Sequence, residues 1–171
     1  MPRRSFFGAL VAAGSACVSA VFAIPMMRAV LFPLRGPAGN SSEPVWSDLG
    51  PLEGFAHATV PTSHVLNIER RDGWELATVQ QSVYVLPGSD NGQPRVVSAI
   101  CPHLGCTVQW RAESNNFVCP CHNGTYGPDG SYAAGPPKRA MDQLPTRVQD
   151  GHLHVQFQYY RQLVPAKEVA D

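Results

Sequence analysis

The stretch from Cys101 to Tyr126 constrains this chain more than any other. It reads Cys101-Pro-His103-Leu-Gly-Cys106, then twelve intervening residues, then Cys119-Pro-Cys121-His122-Asn-Gly-Thr-Tyr126, and it holds four of the five cysteines. Each half sets one Cys and one His apart from an additional cysteine. Cys101 with His103 and Cys119 with His122 would place two thiolates and two imidazoles on two short loops. Such a donor set can hold zinc or a [2Fe-2S] cluster with imidazoles on one iron. A tetrahedral zinc site needs four ligands and would leave Cys106 and Cys121 beside it as surplus thiols.

The two boxes closely resemble those of the Rieske iron-sulfur protein family, specifically its cytochrome bc-type branch, where they read C-x-H-x-G-C and C-P-C-H. The resemblance covers most of the chain, because the boxes, the later Gly135-Pro136-Pro137 and an apolar N-terminus fall in the family's order. It implies one [2Fe-2S] cluster, with Cys101 and Cys119 on one iron and His103 and His122 on the other. It also implies a Cys106–Cys121 disulfide, which would close fourteen intervening residues and contribute about 3 kcal/mol in the chain-entropy view.

Replacing two thiolates by neutral imidazoles removes negative charge from a cluster, so its potential rises, to roughly −150 to +300 mV across such centres. A ring nitrogen not bound to iron can also take up a proton when an electron arrives nearby. Uptake of an electron and a proton together is what quinol oxidation requires. The resemblance assigns the quinol contact to His122, with His103 beside it and Leu104 at the same exposed tip. It further implies that Gly135 and Pro136 cover one side of the cluster.

One departure from the family pattern bears on the potential. Many bc-type members read C-H-G-S-x-Y after the second box, with Ser and Tyr hydroxyls donating toward sulfur. Here Tyr126 is in place, but Gly124 stands where the Ser would be. A missing donor leaves electron density on sulfur less stabilised. The pattern resembles the low-potential members that use menaquinol, with Thr125 as a candidate substitute donor.

The rest of the chain reads as support for this stretch. From Ser5 to Met27 there is no charged residue, a run able to span a bilayer. Arg3-Arg4-Ser5-Phe6-Phe7 resembles a twin-arginine export signal, an ordinary basic leader being the alternative. We expect residues 1–34 to be a retained anchor, with Cys17 buried in it and Pro25 and Pro33 as kinks or end markers. Residues 35–44, rich in Gly, Pro and Ser, read as a hinge. Residues 45–171 read as the Rieske domain, all-β: a small antiparallel sandwich with a cluster-binding loop subdomain.

Within that domain, strands are expected at His64–Arg70, Trp74–Val79, Ser82–Leu86, Arg95–Ile100, Val108–Arg111, Asn116–Val118, Thr146–Gln149 and His152–Tyr160. Trp46, Trp74 and Trp110 are assigned to packing. Lys138, Arg139 and Arg147 are expected to be solvated, and His57, His64, His152 and His154 to be outside any ligand set.

With Lys plus Arg at 13 and Asp plus Glu at 13, charge gives no reason to expect nucleic acid. No phosphate loop, nucleophile elbow or internal repeat is present. The resemblance implies an electron-transfer subunit of a quinol:cytochrome c oxidoreductase. Its partners would be a cytochrome b, a c-type cytochrome and quinol, menaquinol favoured, in a dimeric complex. It would sit in a bacterial cytoplasmic membrane with its head outside, where a disulfide persists. The small Rieske subunit of an exported molybdenum oxidase of the arsenite oxidase kind is the alternative.

Overall fold

The structure is a computed structural model that describes residues 3–31, 45–55, 58–72, 75–90 and 93–170. The chain divides into two units, Met1–Ser42 and Glu43–Asp171. In the first, α1 runs from Arg3 to Leu31, and none of its residues is buried. At 1.5 Å per residue it measures roughly 43 Å, and its best window has mean hydropathy 2.1, so it is long and apolar enough to cross a membrane. Pro25 lies inside the helix rather than at its end, and Cys17 lies on it, exposed like its neighbours. Pro33 and the expected hinge at 35–44 lie outside the described residues.

The second unit is built of antiparallel strands. In chain order they are β1 (Trp46–Pro51), β2 (Thr62–Asp72), β3 (Glu75–Asp90), β4 (Gln93–Ser98), β5 (Gln109–Arg111), β6 (Asn116–Cys119), β7 (Gly124–Tyr126), β8 (Tyr132–Ala134), β9 (Gln143–Leu144), β10 (Thr146–Gln149) and β11 (His152–Gln156). They form three sheets, ordered β1-β11-β10, β2-β3-β4-β9 and β5-β6-β7-β8.

Where β3 meets β4 the middle sheet is apolar on both faces, and its sequence shows why. Successive strand residues point to opposite faces, and Val83-Tyr84-Val85-Leu86 in β3 is buried without a break. Val83 and Val85, with Val96 of β4, join Leu153 and Val155 of β11 in one core. Tyr84 and Leu86, with Val97, join Phe117 and Tyr126 of the β5-β6-β7-β8 sheet in the other. Each such buried side chain contributes roughly 1.5–3 kcal/mol. Tyr84 also ties the sheets by polar contacts: its hydroxyl donates to the Val108 carbonyl and accepts from the Trp110 N–H, both at 3.2 Å.

Several strands differ from the expected ones. The separate strands Trp74–Val79 and Ser82–Leu86 are one, β3, which pairs with β2 along its first part and with β4 along its second. It runs on through Pro87, past the expected end at Leu86, because the register shifts between Leu86 and Ser89 and Gly88 takes φ 79°. A bulge accepts a proline that lacks a ladder donor. The last strand ends at Gln156 rather than Tyr160. Trp74 and His57 lie outside the described residues. Trp110 packs edge-on against Phe117, with centroids 4.8 Å apart.

Arg147 is not simply solvated, since its guanidinium lies 4.4 Å over the Trp46 ring. Arg139 departs further from expectation: its side chain is 8% exposed and bonded to an equally buried Asp142.

Candidate metal centre

The first ligand loop links β4 to β5 and closes on itself. Cys101 N–H donates to the Cys106 carbonyl at 2.8 Å, and Gly105 N–H donates back to the Cys101 carbonyl at 3.0 Å. Ile100 and Thr107 pair at its base. Gly105 takes φ 79°, a left-handed conformation that suits glycine. The second loop joins β6 to β7 as a tight hairpin, in which Cys119 and Gly124 are cross-strand partners and Asn123 takes φ 55°. Asn tolerates that region better than most residues.

Cys106 and Cys121 are joined as a disulfide, which ties one loop to the other. The Cys101 and Cys119 thiols remain free, at 1% and 2% exposure. His103 is half-buried, His122 is exposed and Leu104 is 50% exposed. The two imidazoles meet edge to face with centroids 4.8 Å apart. The thiols thus lie on the sealed side and the imidazoles at the open tip.

The sulfurs of Cys106, Cys119 and Cys121 lie within 4.8 Å of one another. Two of these are spent in the disulfide, so Cys119 is the only free donor of that group, and its chemical partner is the neighbouring buried thiol of Cys101. Burial pushes the Cys119 thiol up, the Cys121 and His122 backbone N–H groups pull it down, and Cys101 raises it further. A buried thiolate pair is costly alone and is relieved by a bound cation.

Tyr126, fully buried, places its hydroxyl 3.2 Å from Cys101 Sγ. Burial first, and then the Cys101 contact, drive this phenol far above its ordinary range, so it keeps its proton and serves as a donor.

Gly124 is buried under Pro137. A Cβ there would stand 2.7 Å from Pro137 Cγ and 3.7 Å from Cys119 Cβ. Gly135, at φ 100°, brings its own backbone so close that a Cβ would stand 2.8 Å from Gly124 Cα. The Gly135–Pro137 segment therefore covers the second loop, through Pro137 rather than the exposed Pro136. Tyr132 braces it, its hydroxyl donating to the Gly135 carbonyl at 2.8 Å. Thr125 does not stand in for the missing Ser hydroxyl. It alternates to the opposite face of β7 and donates to the Ala134 carbonyl at 3.4 Å.

Of the other histidines, His64 bonds Thr62 Oγ1 at 3.0 Å and packs edge-on against Phe55. His152 pairs with Asp48 at 2.9 Å. That carboxyl is held below its ordinary range first by the Gly50 backbone N–H and then by His152. The sequence reading missed Tyr132 and the Arg139–Asp142 pair; the i,i+3 spacing of opposite charges was the one signal for the latter.

Two buried thiols, two facing imidazoles and a protected hydroxyl donor at sulfur fit a [2Fe-2S] group of mixed ligation. Comparison with known proteins agrees. Residues 58–147 match the family described as Rieske [2Fe-2S] domain. The menaquinol:cytochrome c reductase iron-sulfur subunit of Geobacillus thermodenitrificans is 31% identical over 158 residues, spanning 90% of this chain and 89% of that one. The protein of the same name from Bacillus subtilis is 30% identical, spanning 90% of each. Among solved structures, the cyanobacterial plasma membrane Rieske protein of Synechocystis aligns with 25% identity and TM-score 0.41, covering 64% of this chain and 98% of that one.

The chain belongs to the Rieske iron-sulfur protein family, in its cytochrome bc-type branch, and its cofactor is a Rieske-type [2Fe-2S] cluster.

Proposed function

We propose that this chain is the electron-transfer subunit of a quinol:cytochrome c oxidoreductase, taking an electron and a proton from menaquinol and passing the electron to a c-type haem. One observation carries the reading: two imidazoles from separate loops meet at an exposed tip, above two buried thiols. In it, Cys101, Cys119, His103 and His122 hold the cluster, which when bound supplies a one-electron couple at the raised potential of imidazole ligation.

The chain's own groups do the rest. Cys101 and Cys119 fix the sealed side, where little water reaches. His122, the more exposed imidazole, meets the quinol hydroxyl and accepts its proton on the ring nitrogen left free of metal, with His103 beside it. Leu104 gives the tip an apolar contact for the quinol site of a cytochrome b partner. Tyr126 donates to Cys101 and stabilises the reduced state. With no side chain at Gly124 and Thr125 turned away, a second hydroxyl donor is missing. The potential is therefore low, as suits menaquinol.

In this reading residues 1–34 anchor the chain in a bacterial cytoplasmic membrane, residues 35–44 are a hinge, and residues 45–171 stand on the outer side within a dimeric complex. The disulfide supports the outer side, because such bonds persist in oxidising compartments.

The test is electron paramagnetic resonance and quinol:cytochrome c reduction on the assembled complex. A menaquinol analogue should turn over faster than a ubiquinol analogue, and His122→Ala should remove both the signal and the activity. A chain that carries zinc, or takes up no iron, sinks the proposal.

A further inference from the structure

Beyond β11 the chain leaves the sheet and returns to the first ligand loop, in a segment outside the residues matched to the family. This strap closes on itself: Arg161 N–H donates to the Glu168 carbonyl and Ala170 N–H to the Tyr159 carbonyl, both at 2.8 Å. Buried Tyr160 anchors it, and Lys167 lies 4.8 Å over the Tyr160 ring while donating to the Gln143 carbonyl.

Two contacts join the strap to the loop that carries His103. Leu163 N–H donates to the Pro102 carbonyl at 3.0 Å. The Gln162 amide packs over Gly105, where a Cβ would stand 2.8 Å from its Nε2. Leu163 makes its contact from φ 62°, a left-handed conformation that is unfavourable for a residue with a bulky side chain. Such a conformation persists only where its surroundings enforce it.

Arg139 supplies that enforcement. Its Nη1 donates to the Val164 carbonyl at 2.7 Å, while Nε and Nη2 donate to the two Asp142 oxygens at 2.9 and 2.8 Å. Asp142 is in turn fixed to β4, its carbonyl accepting the Ser98 N–H at 2.8 Å. Desolvation offsets most of what a pair this buried gives to stability. A planar guanidinium with three spoken-for donors gives direction instead.

We propose that Arg139, acting through the strap Gln162–Val164, is a positioning residue for the first ligand loop and sets where His103 and Leu104 stand. Each ligand loop then has its own brace, Pro137 on the second and the strap on the first. The part of this inference that concerns the cluster rests on the ligand assignment proposed above.

Hydrogen exchange on the full, cluster-loaded chain, with paramagnetic resonance on the same samples, tests it in Arg139→Lys and Gln162→Ala. Exchange across residues 101–106 should rise by roughly tenfold in Arg139→Lys, the scale of one lost hydrogen bond to a charged group, and by less in Gln162→Ala, which loses a packing contact. Exchange across 119–126 should stay at the wild-type rate, and the g values of the reduced centre should shift. Acceleration of both loops alike, of neither, or an unshifted signal overturns the proposal. Leu163→Gly keeps the amide and relieves the positive φ, so it should leave both readouts at wild type. If the chain takes up no iron, the ligand assignment fails, while exchange on the iron-free chain still decides whether the strap holds the loop.

Discussion

The Cβ position of Gly124 lies 2.7 Å from Cγ of Pro137. The proline ring therefore fills the space that a serine side chain would need. Gly124→Ser is expected to cost about 1–3 kcal/mol as overpacking, read as a lowered denaturation midpoint. Pro137→Ala in the same chain should recover most of that loss, a coupling expected of residues in contact. Only in the double variant should the new hydroxyl settle near Cys119 and raise the redox midpoint above that of Pro137→Ala alone.

Tyr126→Phe removes the donor 3.2 Å from Cys101 Sγ and leaves the ring in place. Negative charge on sulfur loses stabilisation in the reduced state more than in the oxidised one, so the midpoint potential should fall. Stability should drop by about 1 kcal/mol, the net worth of a buried hydrogen bond. Redox titration and thermal melting of the same preparation separate the two effects.

Burial holds His64 below its ordinary imidazole value. The unfolded chain then binds the proton more readily than the folded one. Stability from this group is fully present above about pH 6.5 and is lost as pH falls from there toward the depressed folded value. Denaturant titrations between about pH 7.5 and 5.5 should show this slope in the wild type and a flatter one in His64→Gln. An equal slope in both would assign the acid sensitivity to other groups.

Replacing Cys106 and Cys121 together by serine opens the link between the ligand loops. The expected loss is about 3 kcal/mol for a loop of this length, measured by melting. The cluster should also be lost faster on dilution into chelator, because the thiol loops can then part.

How much of this could be read from the chain depends on how local each feature is. The two boxes were legible because ligand spacing is set within a few residues, and the structure brings Cys101 near Cys119 and His103 against His122. The apolar run Val83–Leu86 shows a strand, but not which partners bury its two faces, which depends on sheets formed by residues far along the chain. The expected strand ends at Leu86, just before Pro87, and the bulge that admits a proline becomes visible only in the register with β4. Lys138-Arg139 looked like a solvated doublet. Only the return of Val164 twenty-five positions later encloses Arg139. The role of Gly124 was half legible: the missing hydroxyl was visible in the sequence, the proline ring in its place was not.

Exposure across the centre runs from sealed thiols to an open pair of imidazoles. A donor and an acceptor that both approached by the imidazole side would compete for the same few side chains. Loading and unloading through that side would then take turns, and the pace at which one visitor departs and the other arrives would bound throughput.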